Sequence, residues 1–272
     1  MTQTDALDRK AVASARQYMG GVAWPTIVLG VVLGVSYVGT VVLALAGTLP
    51  LWLAVPLLSF LVYLSYTVLH ESVHGSITGS NESLRWLNKA LGYMAAWIVM
   101  IPLTAHRHEH IAHHRHANNE HNDPDFHVGG MRNSLSAAIV AVLQAWVGQF
   151  TFYAKNRWAK APKRQNVVLC MEVAAALLPR LAVMAAGYWV EGLALFLVAW
   201  SIGVTVLMFL FAYIVHSPHE TEGRFVDTST ILVPGGALGK VITVAWVYPV
   251  SYTHLTLPTI TSGCRSRWSP YH

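Results

Sequence analysis

Residues 68–76 read VLHESVHGS and contain His70-Glu71-Ser72-Val73-His74. Residues four apart share one face of a helix, so His70 and His74 stack one turn apart. This H-E-x-x-H spacing is how zinc metalloproteases hold their ion, with two His as ligands and the Glu as general base. A second run follows: His106-Arg107-His108-Glu109-His110-Ile111-Ala112-His113-His114, with His116, His121 and His127 close behind. His216 and His219 form a third, smaller group. Neutral imidazole is the commonest metal ligand among side chains, and three separate groups of it point to a metal site rather than to scattered polar residues.

A zinc protease uses two His, the Glu and one further ligand, and leaves a position for water. It has no use for the H-x-x-H-H of His110, His113 and His114, which presents three imidazoles on one helical face. Both runs together offer more nitrogen than one tetrahedral zinc takes, and suit two ions. Nitrogen-rich sites with open positions suit iron that binds oxygen, and they also accept zinc or copper. A zinc intramembrane protease predicts dependence on Glu71 and an acidic ligand in a later span. A histidine-rich metal transporter predicts ligands near the middle of the bilayer.

The elements that carry these histidines read as membrane spans. The chain has 272 residues, 54% of them hydrophobic and only 11% charged, with a mean hydropathy of +0.44. Soluble domains carry about 25% charged residues, so lipid solvates most of this chain. Ten Trp and eleven Tyr fit belts at the bilayer interface. The formal charge of +5 is modest and calls for no nucleic acid. Cys170 and Cys264 give no disulfide framework, and the polar start MTQTDALDRK shows no cleavable signal peptide.

About 20 apolar residues cross the hydrocarbon. Trp24 to Gly47 and Leu51 to Leu69 qualify and form a tight hairpin across Thr48-Leu49-Pro50. Val167 to Tyr188 and Leu193 to Val215 form a second hairpin around Glu191-Gly192. Between them, Leu91 to Thr104 is too short to span and reads as interfacial or re-entrant, and Ser136 to Ala154 reads as a helix on the membrane surface. Lys and Arg gather before the first span and in the central segment, and are absent from both hairpin turns. The positive-inside rule then puts the N-terminus and the central segment in the cytoplasm. The fold class expected is therefore an all-α membrane protein: four transmembrane helices in two hairpins with a cytoplasmic, His-rich helical cap. Every histidine group falls at, or just beyond, that one membrane face. Glu172 and Arg180 in the third span are expected to face the bundle interior, paired or packed.

From Val250 the character changes: residues 250–272 have no acids and no apolar period. VSYTHLTLPT and CRSRWSPYH back-translate, in order, to the two ends of a transposon-based sequencing-library adapter. The expected division is a membrane domain over 1–249, incomplete at its C-terminus, and a non-native tail over 250–272.

HESVHGS followed by RHEHIAHHRHANNEHNDPDF resembles the first and second histidine boxes of the membrane fatty-acid desaturase superfamily, which includes acyl desaturases and carotenoid hydroxylases and ketolases. The Asn122-Asp123-Pro124-Asp125 that trails the second box also resembles it, and His216-Ser217-Pro218-His219-Glu220 is most similar to the bacterial desaturase and β-carotene hydroxylase-like branch. The resemblance covers roughly residues 50 to 249. It implies metal ligands at His70, His74, His110, His113 and His114, and a further one at His216 or His219. It also implies a third box, another H-x-x-H-H, shortly after residue 249, where the tail begins; a chain without it would be inactive.

The resemblance further implies two non-haem iron ions, O2 as oxidant, and electrons from a ferredoxin or reductase as partner protein. The substrate would be a lipid or carotenoid drawn from a bacterial-type inner membrane. Glu71, Asp123 and Asp125 become partners for the outer ring nitrogens of ligating histidines. His106, His108 and His116 are further candidates, and Arg107 and Arg115 suit headgroup phosphates or an acidic redox partner. Acyl chain or carotenoid, alkene or alcohol: these motifs leave both choices open.

Overall fold

The computed structural model describes residues 21–214 and 219–220. His216, the N-terminal residues 1–20 and the proposed tail over 250–272 lie outside the described residues.

The first hairpin forms as the hydropathy predicts. Helix α1, Trp24–Leu45, opens with Pro25 in its first turn, where the missing N–H has no intrahelical partner to lose. Pro50 precedes α2, Leu51–His74. Gly75 closes α2 in the left-handed conformation at φ 72. A Cβ there would meet nothing within 4 Å, so Gly75 serves the helix end and not a close packing contact.

Helix α3, Arg85–Val99, follows a short turn over Glu82–Leu84 that Asn81 caps. Met100 ends α3 at φ 58, and Pro102 precedes α4, Leu103–His116. The apolar run Leu91 to Thr104 is thus not one segment. It straddles the end of α3 and the first residues of α4, because a left-handed residue and a proline break it. Seven residues of tight turn, Phe126–Arg132, lead to α5, Leu135–Asn156, which Ser134 caps by accepting from the N–H of Ala137. Helix α6 spans Lys163–Ala185. Helix α7 runs over Trp189–Ile214, with π-helical stretches at Leu193–Val198 and Met208–Ile214.

Among the described residues every regular element is helical. Five helices, α1, α2, α5, α6 and α7, are long and apolar enough to cross a membrane, one more than the four expected. The addition is α5. Its few polar residues, such as Gln144 and Gln149, interrupt the apolar run without lowering its mean enough to disqualify it. Helix α2 is the most enclosed of the five and packs against α1, α3 and α7. Outward residues of α1 and α6, among them Val35, Met171 and Leu181, stay exposed as a lipid-facing surface requires.

Helix α3 lies very close to α2. A Cβ on Gly92 would collide with Ser72 Oγ, and this glycine lets the backbones approach as small residues do between membrane helices. The contact is locked by Ser72 Oγ donating to the Asn88 carbonyl at 2.8 Å and Asn88 Nδ2 donating to the Ser72 carbonyl at 3.0 Å. Glu172 and Arg180 do not pair with each other. Glu172 accepts from the N–H and hydroxyl of Thr104 at the start of α4. Arg180 donates to Tyr37 Oη and the Trp97 carbonyl and lies 4.7 Å from the Trp97 ring centroid. Eight residues, roughly 12 Å of helix axis at 1.5 Å per residue, separate the two on α6, so each finds its own partners.

Candidate metal centre

Two helix ends build the site. The last turn of α2 carries His70 and His74, and α4 carries His106, His110, His113 and His114. Ligand nitrogens of His70, His74, His110 and His114 all lie within 4.8 Å of one another. His110 Nε2 is 3.1 Å from His74 Nε2 and 2.9 Å from His114 Nε2. Nitrogens bound to one ion at about 2.0–2.1 Å stand roughly 3 Å apart, as the His74–His110 and His110–His114 pairs do, so this donor set is compatible with a single metal ion. Ring centroids of 4.4 Å for His110–His114 and 4.6 Å for His70–His74 show both i, i+4 pairs turned to the same point.

Electrostatics favour ligation. Burial, reinforced by the neighbouring His114, His70, His74 and His106, holds His110 well below the ordinary imidazole value. It is therefore neutral, the state a ligand needs.

His113 stands beside this group, 5.7 Å from His114 and 6.2 Å from His110 by ring centroids. Its Nδ1 donates to Asp123 Oδ1 at 2.7 Å, with Asp125 Oδ2 at 3.8 Å. Burial alone would lower His113, but the Asp123 hydrogen bond and the charges of Asp125, Asp123 and Glu109 outweigh it and raise it to about 9. Asp123 is fixed in turn by the N–H groups of Asn118 and Asp125. The DPD segment after the second box thus wraps back on that box. Glu71 is buried, with Oε1 3.5 Å from His70 Nδ1 and its other oxygen accepting from Ser76 Oγ.

His219, half-buried, stacks on Tyr213 at 5.5 Å and sits against Gly129. It does not join the four-histidine group. His216 lies outside the described residues. His108 turns away toward α6, within 2.7 Å of Gln165 Nε2. His106 lies nearer, 5.1 Å from His110 by ring centroids, and its Nδ1 meets Gln149 Oε1 at 2.8 Å.

Three neighbours escaped the sequence reading. Glu109 is 1% exposed, 3.6 Å from His106 Nδ1. Burial pushes it up to about 7, and burial together with Glu109 pushes Asp125 up to about 7 as well. Gln149 reaches in from α5, and Tyr66 sets its ring edge-on to His106 at 5.5 Å. Glu109 had a signal, its position one turn from both His106 and His113. Gln149 and Tyr66 had none.

An all-helical membrane protein with a histidine cluster fit to hold a metal ion is the class these features define. The particular family follows from the sequence pattern: fatty acid desaturase matches residues 46–243, and the chain belongs to that family. Comparison with curated proteins and with solved structures gave no match.

Proposed function

We propose that this chain is a membrane-bound, O2-dependent di-iron oxidoreductase that desaturates or hydroxylates a lipid hydrocarbon chain. The observation that carries the reading is the convergence of His70, His74, His110 and His114 at one end of an apolar bundle, in a chain of the fatty acid desaturase family. These four would hold one iron. His113 would belong to the second, with His216 or His219 as its further ligand. When bound, the iron pair supplies the oxidising power that removes hydrogen from an unactivated C–H bond, with electrons from a ferredoxin or reductase.

The protein's own residues orient and shield. Asp123 fixes the ring of His113 by Nδ1 and leaves Nε2 free of that bond, and Glu71 stands on the Nδ1 side of His70. Such outer partners set tautomer and ring direction. Glu71 is 2% exposed and turned to that outer nitrogen, a poor position for the general base of a zinc protease. The histidines lie at the helix end and not in mid-span, which disfavours a transporter. In this reading the N-terminus and histidine cluster are cytoplasmic, in a bacterial-type inner membrane. A β-carotene hydroxylase- or ketolase-like activity is the second reading.

The test is expression of the chain, both as given and with an H-x-x-H-H segment joined after residue 249, in a host that makes both unsaturated lipids and carotenoids, with product analysis and metal content of each purified protein. Two irons per chain and an O2-dependent new alkene or alcohol in the extended protein support the proposal. A peptidase activity with zinc bound would overturn it.

A further inference from the structure

Only Met100, Ile101 and Pro102 separate the end of α3 from the start of α4. Two helix ends therefore meet inside the bundle, each with backbone groups that have no partner within their own helix. The end of α3 carries partial negative charge and the start of α4 partial positive charge. Away from water, such groups have to be satisfied by other parts of the protein. Neither helix does this with its own side chains. The last turn of α3 has no basic residue, the first turn of α4 has no acid, and Pro102 offers no capping side chain.

Helix α6 supplies both charges. Glu172 accepts at the start of α4, from the N–H of Thr104 at 3.0 Å and from its hydroxyl. Arg180 donates to the Trp97 carbonyl at 2.8 Å, in the last turn of α3, with its guanidinium over the Trp97 ring. Each charge thus faces the helix end that favours it, the anion at an N-terminus and the cation at a C-terminus. Among the described residues no ion pair joins either of them to an opposite charge. Two indoles complete the break: Trp200 of α7 donates to the Val99 carbonyl at 2.7 Å, and Trp146 of α5 to the Met100 carbonyl at 3.3 Å. The Ala96 carbonyl takes the N–H groups of Met100 and Ile101. Arg180 is 5% exposed, so water does not replace a charge lost there, and in such surroundings each contact is stronger than in water.

Helix α4 leaves this break and carries His106, His110, His113 and His114. At 3.6 residues per turn, a slip of one residue at its start would rotate every later side chain by about 100°. We propose that Glu172 and Arg180 are positioning residues of the metal centre. They hold the break by its two helix ends, and so set the register in which α4 turns His110 and His114 toward His70 and His74. The proposal rests on the metal-centre reading for its purpose, but the hold on the break is tested without it. The full chain is purified in detergent, and cobalt stands in for iron because its visible bands report ligand number and geometry. Amide hydrogen exchange, read by mass spectrometry over residues 101–106, reports the break itself.

Glu172→Gln and Arg180→Gln keep the size of each side chain roughly and lose its charge. A charge at a partly buried helix end is worth a factor of up to about thirty in an equilibrium. Each variant is therefore expected to bind cobalt about 3- to 30-fold more weakly, with shifted bands and faster exchange at the break. Arg180→Lys keeps the cation and should recover most of the affinity; should Arg180→Gln fail to fold, Arg180→Lys and Glu172→Gln carry the test. Leu178→Ala, on the exposed face of α6, should change neither readout. Variants that unfold more easily yet keep the wild-type cobalt affinity and bands would overturn the proposal, since the two residues would then support the fold alone. A wild-type chain that takes no cobalt at the histidines, while its variants still loosen the break, would sink the metal-centre reading and leave the hold on the helix ends standing.

Discussion

Asp123 contacts His113 Nδ1 at 2.7 Å, and this one contact makes metal uptake depend on pH. In the metal-free chain His113 stays protonated up to about pH 9. A metal at Nε2 has to displace that proton, so affinity at this position rises with pH and levels off above about 9. Asp123→Asn removes the charge that raises it, and the break moves toward or below the ordinary imidazole value of about 6.5. Cobalt titrations from neutral to alkaline pH read this directly; an unchanged profile in the variant would remove Asp123 from its role. His110→Ala takes out the imidazole that both other Nε2 atoms approach, and metal analysis should find the four-histidine position empty. Glu71→Gln keeps the shape and loses the charge, so iron affinity should fall about 10- to 100-fold without vanishing. The histidines and their spacing were readable because i, i+3 and i+4 identities fix a helical face. That His113 turns to Asp123 while His110 and His114 turn to the first box was not, since both arrangements satisfy the same spacing. Gln149 was out of reach for another reason: it meets His106 across 43 residues of chain, and one sequence carries no record of such a contact.

Helix ends decide where those side chains stand. Ser72 lies between the two histidines of α2 and is clamped to Asn88 of α3, with Gly92 leaving just enough room. Gly92→Val should wedge the helices apart and destabilise the protein by about 1–3 kcal/mol. Because the displaced turn carries His70 and His74, the same variant should bind cobalt more weakly. Thermal unfolding in detergent and a metal titration test the two halves separately; lower stability with metal affinity intact would show that α3 supports the fold and not the site. Hydropathy located the spans to within a few residues because lipid demands long apolar runs. It gave Leu91 to Thr104 as a run too short to span, but did not place the division within it, because a mean over a window does not register a left-handed Met100 or the break at Pro102. Gly75 shows a further limit: a glycine beside a histidine box could serve packing or a helix end, and only its φ of 72 tells the two apart.

At the scale of the whole molecule, α5 decides the topology. By length and composition it could cross the membrane, yet its C-terminal half is tied to the histidine side. That half meets α4 through Gln149 at His106 and through Tyr153, 5.7 Å from the His108 ring. Helix α6 starts on that same side, with Gln165 against His108. Were α5 to cross, its first residues would lie on the far side, and residues 117–134 would have to carry the chain there from the end of α4. That segment holds Asp123, Asp125 and Arg132 and no helix longer than the turn over Phe126–Arg132. Irregular polar backbone exposed to lipid leaves its hydrogen-bonding groups unsatisfied, which counts against such a crossing. Arg132 before α5 and Lys155 and Arg157 after it place basic residues at both ends, as a helix lying along the cytoplasmic surface requires. The expectation is therefore four spans with α5 as a surface helix. With Cys170 and Cys264 replaced by Ser, single cysteines at Thr48, Ser136 and Ala159 should separate the arrangements, since all three positions are exposed. A membrane-impermeant thiol reagent added to sealed, right-side-out vesicles is expected to label Thr48→Cys and to spare both Ser136→Cys and Ala159→Cys until the vesicles are opened. Labelling of Ser136→Cys together with Thr48→Cys would mean that α5 crosses after all, and the two-hairpin topology would have to be given up.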